Sequence, residues 1–82
     1  MFSLKFDKKS GKELEKLPED IRERIFSKII DAKDNPFRFF ERLEGRNDYK
    51  LRVGDYRVIA DINNKDKIIE ITKIGHRKEV YK

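Results

Sequence analysis

The sequence predicts an α+β domain with element order β-α-α-β-β-β, in which a two-helix hairpin packs on one face of a small, mostly antiparallel sheet. Three observations predict it. Apolar residues recur at every second position at the amino end and again from Tyr49 onward. An apolar stripe at helical spacing lies between these two stretches. The 82 residues leave room for one core only, so residues 1–82 are expected to form a single domain.

At the amino end, Phe2, Leu4 and Phe6 alternate with Ser3, Lys5 and Asp7, which predicts a strand with one buried face. The polar run DKKSGKELEKL follows, with Leu14 and Leu17 three apart. Asp7 or Ser10 can cap a short helix there, and Ser10 with Glu13 matches a capping box. That helix must stop before Pro18. Proline suits the first turn of a second helix, with Glu19 and Asp20 near its positive end. Ile21, Ile25, Ile29 and Ala32 fall on one stripe of this helix, widened by Phe26 and Ile30. The sequence DNP at 34–36 ends it, because the residue before a proline resists helical geometry.

The stretch FRFFERLEGRN at 37–47 reads as a connecting loop whose aromatics pin it to the core; interleaved Phe and Arg are also the composition of a base-stacking surface. From Tyr49 the period becomes two. Tyr49, Leu51 and Val53 alternate with Lys50 and Arg52, Gly54-Asp55 turns the chain, and Tyr56, Val58, Ala60 and Ile62 alternate with Arg57, Ile59 and Asp61. This is the pattern of a hairpin with a two-residue loop. NNKDK makes the next turn, and IIEITKI is apolar enough for a strand that is central or covered on both faces.

Composition narrows the function classes. With no cysteine, neither a disulfide nor a thiolate-bound zinc can support the core, and no stretch approaches the roughly 20 apolar residues of a membrane span. The first ten residues alternate apolar and polar, unlike a signal peptide, so a cytoplasmic location is expected. Lys and Glu are abundant and Gln and Trp absent, a composition that leans toward a heat-adapted source. The net charge of +5 is uneven: residues 1–44 carry 11 Lys/Arg against 10 Asp/Glu, and residues 45–82 carry 10 against 6. Excess cations in the carboxyl-terminal half fit an anionic partner such as a polyphosphate chain, and they equally serve solubility.

Strand alternation sharpens this. Lys50 and Arg52 share a face, and pairing across the short turn can bring Arg57 onto it. Three adjoining cations repel one another unless an anion occupies the site; a solvated sheet face accounts for the same residues without a ligand. The chain closes with KIGHRKEVYK at 73–82, where Arg77 and Tyr81 need only a turn at Gly75 to reach the rim of the basic face, with Val80 as the apolar peg of that turn.

The segments LEG, YKLRVGDYRVIADI and GHRKEVY, together with KLPEDIRERI and the NPF break, resemble the RelE/ParE superfamily of bacterial and archaeal toxins, nearer its RelE branch. The resemblance spans nearly the whole chain. It implies the RelE-like microbial RNase fold and the toxin of a type II toxin-antitoxin system. The activity implied is an mRNA interferase: an endoribonuclease that cuts the messenger in the ribosomal A site and so inhibits translation. It also implies a RelB-like antitoxin, the 70S-type ribosome and mRNA as partners, a toxin-antitoxin complex able to associate as a heterotetramer, and no metal or other cofactor. In such enzymes the 2′-hydroxyl attacks the neighbouring phosphorus, leaving a cyclic phosphate and a 5′-hydroxyl.

By matching motif positions, the resemblance assigns Arg57 and Arg77 to the scissile phosphate, Lys50 to proton transfer or charge neutralisation, and Tyr81 to stacking or aligning the nucleophile. Arg46, Arg52, Lys73 and Lys78 are the expected contacts to RNA or ribosome. Asp48 stands near the place of a second lysine found in the best-known members, and the chain ends one residue after Tyr81 without the further helix of some members. His76 is the one imidazole of the chain, the side-chain type suited to general-base work, yet its place after Gly75 at a turn fits a structural hydrogen bond. Two alternatives remain. One is a ParE-like inhibitor of DNA gyrase without nuclease activity. The other is a catalytically weak member that binds RNA or antitoxin only.

Overall fold

The computed structural model describes residues 1–80, with side chains through Lys78. The elements are β1 (Ser3–Phe6), α1 (Lys8–Glu15), α2 (Glu19–Ala32), α3 (Pro36–Phe39), β2 (Glu41–Arg42), β3 (Tyr49–Val53), β4 (Tyr56–Asn63), β5 (Ile68–His76) and α4 (Arg77–Val80). The strands form one sheet in the order β1-β5-β4-β3-β2. β1 runs parallel to β5 and every other pairing is antiparallel. β5 is therefore central, as its apolar sequence allows.

Three short elements add to the predicted order. The stretch expected to be a loop contains the single turn α3 and the two-residue β2, and the chain leaving Gly75 forms α4. Phe40 of that stretch is buried. Phe37 is partly exposed but meets Phe2 and Tyr49 edge-on, at ring-centroid distances of 6.1 and 5.7 Å. The aromatics do pin the connection to the core.

One face of the sheet carries the core. Ile25, Ile29 and Ala32 of α2 pack with Leu51, Val53, Val58, Ala60, Ile69, Ile71 and Ile74 of the strands. Leu14 and Leu17 join from α1 and the turn after it. Burying side chains of this size supplies about 1.5–3 kcal/mol each, the main stabilising term in a domain without cross-links.

The capping of α1 differs from the capping box. Asp7 is the N-cap, its carboxylate accepting from the Ser10 backbone N–H at 2.7 Å. That bond holds the Asp7 carboxyl below its ordinary pKa. Ser10 itself is fully buried and donates its hydroxyl to the Ile71 carbonyl at 2.6 Å. Glu13 accepts from the Ile74 backbone N–H at 2.9 Å. The reason is topological: β1 pairs with β5 only from Ile68 to Ile71, so beyond that point α1 supplies partners for the β5 edge.

Two local features orient the strands. The hairpin turn uses Gly54 at φ +59°, a conformation favouring glycine and matching a two-residue loop with glycine first. Between β4 and β5 the register shifts, with Ile59 opposite Lys73 but Ala60 opposite Ile71, so Thr72 is an extra residue, a β-bulge.

Candidate functional site

The sheet face opposite the helices carries the predicted basic residues. Along β3 the side chains of Lys50 and Arg52 point there, and Arg52 lies directly opposite Arg57 of β4. Arg57 in turn lies opposite Gly75 of β5, and Lys73 lies opposite Ile59, one step along the same face. Lys50, Arg52, Arg57 and Lys73 thus adjoin on three neighbouring strands. The charge is polarised along the strands, since the same alternation places Asp48, Asp61 and Glu70 toward the other end. Ile59, with Leu43 against it, makes a small apolar patch between the two ends.

Arg57 has the least ordinary environment. Its residue is 3% exposed, and its Nη1 donates to the carbonyls of Gly54 and Tyr56 at 3.3 and 3.1 Å. Its Nε has no hydrogen-bond partner, and among the described residues no carboxylate pairs with it. A buried guanidinium with an unused donor is costly unless an anion completes it. Lys50, whose side chain is 24% exposed, lies 4.0 Å from the Glu41 carboxylate, which is 76% exposed, so the acid's side of this long pair stands in water and adds little.

The other predicted residues divide. Arg77 begins α4, and its backbone N–H donates to the Asp55 carbonyl at 2.8 Å, tying the end of the chain to the β3–β4 turn beside Arg57. Lys78 is exposed on the same turn of helix. Arg46 is engaged elsewhere: it binds Asp48 at 2.6 Å, away from the cationic end. One oxygen of Asp48 is buried without a partner. Tyr81 lies outside the described residues, as does the side chain of Val80. His76 is on the helix-facing side, edge-on to Tyr56 at 5.6 Å, its Nδ1 accepting from the Lys78 N–H at 3.4 Å. It faces away from Arg57.

Sequence reasoning missed the cations that α2 and α3 add. A cavity of about 360 Å³ is lined by Arg24, Lys28, Asp31 and Arg52 among others. A second, of about 250 Å³, is lined by Lys28, Arg38, Phe39, Glu41, Lys50 and Arg52. The available signal was the spacing of Arg24, Lys28 and Asp31, which puts them on one polar stripe of α2.

Comparison with known proteins is consistent across the chain. Residues 4–81 match the family described as the ParE toxin of type II toxin-antitoxin systems, parDE. The mRNA interferase toxin RelE of Escherichia coli K12 is 28% identical over 85 residues, covering 98% of this chain and 90% of that protein. Among solved structures, the archaeal RelE–RelB complex from Pyrococcus horikoshii OT3 is similar with a TM-score of 0.79 and 32% identity, covering 96% of this chain and 98% of that one. The intact E. coli RelBE toxin-antitoxin complex aligns with a TM-score of 0.80 and 25% identity, covering 93% and 96%. The RelBE2 complex from Mycobacterium tuberculosis shares the fold, with a TM-score of 0.83 at 24% identity.

Proposed function

Since the chain belongs to the RelE/ParE superfamily of type II toxins, we propose that it is a ribosome-dependent mRNA interferase held in check by a RelB-like antitoxin. The observation that carries this reading is Arg57: a buried guanidinium without a counter-charge, flanked by Arg52, Lys50 and Lys73 on one face. A phosphodiester supplies the missing anion.

In the proposed reaction the RNA 2′-oxygen attacks the adjacent phosphorus, and the bond to the 5′-oxygen of the next nucleotide breaks. The products are a 2′,3′-cyclic phosphate and a 5′-hydroxyl. The proton lost from the 2′-hydroxyl must be taken up, and the departing 5′-oxygen must gain one. Arg57 and Arg77 stabilise the extra negative charge on the pentacoordinate phosphorane, since guanidinium offers two parallel hydrogen bonds and never deprotonates. Lys50 neutralises charge or moves a proton, Tyr81 stacks on a base or aligns the nucleophile, and Arg52, Lys73 and Lys78 hold the flanking backbone. No metal enters this scheme. With Asp48 near the place of a second lysine and one of its oxygens unpartnered, proton transfer rests more heavily on Lys50.

The test is primer extension on a translated messenger, with and without ribosomes, repeated with Arg77→Ala. Cuts in the A site that require ribosomes and vanish in the variant are expected. The name of the matching family favours one other reading, gyrase inhibition. An intact message beside inhibited supercoiling would establish it and overturn the nuclease.

A further inference from the structure

We infer that the groove between α2 and the bare edge of β3 is a second RNA contact, binding the phosphodiester backbone of the strand next to the cleavage point; this rests on the nuclease reading above. β2 covers β3 only at Tyr49 and Lys50, so the edge from Leu51 to Val53 is unpaired, and α2 passes beside it. The two cavities of about 360 and 250 Å³ adjoin there, with Lys28 and Arg52 lining both.

Charge identifies the ligand class. Arg24 and Lys28, one turn apart on α2, join Arg38, Lys50 and Arg52 against only Asp31 and Glu41. Among the described residues Arg24, Lys28, Arg38 and Arg52 have no carboxylate partner. Lys28 lies 5.7 Å from the centroid of the half-exposed Phe39 ring. A cationic track with an aromatic platform is what single-stranded nucleic acid requires. A bare strand edge also suits an acidic polypeptide strand, which needs apolar pockets for alternate side chains. The apolar side chains here are Phe39, Leu51 and Val53, and the last two are buried in the core, leaving no such pockets. Continuity decides the rest: Arg52 lines the groove and stands directly opposite Arg57, so one strand can pass from the cleavage face into the groove.

The experiment measures binding of a labelled single-stranded oligoribonucleotide, blocked against cleavage by 2′-deoxy substitution, across a salt series. It compares the wild type with R24A/K28A and with K28Q, and follows ribosome-dependent cleavage in parallel. Both side chains are exposed, so unchanged thermal melting is expected. Losing two phosphate contacts should lower the log–log salt slope by about 1.4 and weaken binding about 10- to 30-fold at 0.1 M salt. Half that slope change is expected for K28Q. If the wild type cleaves and R24A/K28A binds and cleaves identically, the groove is refuted and the nuclease stands. Loss of antitoxin affinity with RNA binding intact would refute it too, assigning the groove to a peptide. A wild type that neither binds nor cleaves would remove both readings together.

Discussion

Replacing Arg57 with methionine should stabilise the protein while sharply reducing its proposed activity. Arg57 is 3% exposed as a residue and its Nε is buried and unpartnered, so folding withdraws most of a cation from water without a counter-ion. Leaving such a charge uncompensated costs about 3–5 kcal/mol. The two bonds from Nη1, at 3.3 and 3.1 Å to neutral carbonyls, return about 1 kcal/mol each. Methionine fills similar volume without the charge, so the net gain is about 1–3 kcal/mol. Urea unfolding followed by circular dichroism reads this as a higher midpoint at unchanged slope, and melting should rise by about 4–8 °C per kcal/mol. Phosphate in 100-fold excess over its dissociation constant should stabilise the wild type by about 2.7 kcal/mol and leave the variant unmoved. Cleavage in the primer-extension assay should fall about 10²–10³-fold, the usual loss for one preorganised donor. A variant less stable than wild type would show that the guanidinium is a satisfied structural group, and the inference of an anion site would fail.

Other perturbations test the supports of the site. Glu13→Ala leaves the Ile74 N–H without its acceptor and should destabilise the protein by about 1–2 kcal/mol, with Glu13→Gln recovering most of this, as read by urea unfolding. Asp7 has a lowered pKa, so its contribution is present above its unfolded pKa and is lost as pH falls below about 4; Asp7→Asn keeps a capping oxygen and should flatten that acid limb in pH-dependent melting. Gly54→Ala forces a side chain onto φ +59° and should cost about 1–2 kcal/mol in unfolding, with a parallel loss of cleavage because the Gly54 carbonyl holds Arg57.

The sequence carried the long elements because they repeat a period. The stripe Ile21-Ile25-Ile29-Ala32 and the alternation Tyr56-Val58-Ala60 each express one buried face several times over. α3 and β2 span four and two residues, too short to express any period, and their aromatics suited a loop as well. Glu13 looked like half of a capping box because its true partner, Ile74, lies 61 positions away, and no local pattern encodes a contact of that range. The cationic face was legible through Lys50, Arg52 and Arg57 because a two-residue turn fixes their register. The contribution of α2 was not, since which polar stripe of a helix meets a strand edge depends on the tertiary packing.

The extra residue at Thr72 acts as a parity switch for everything after it. Ile69 and Ile71 are two apart, yet Ile71 and Ile74 are three apart, and all three are buried. An unbroken pleat could not send both members of the second pair inward. Flattening the bulge with every residue kept would impose strict alternation from Ile71 onward, turning Ile74 out of the core and driving Lys73 into it. The chain would then arrive at Arg77 rotated to the wrong side of the sheet. A single backbone irregularity therefore determines which carboxyl-terminal residues can face a substrate, and shifting it would move them without altering any side chain.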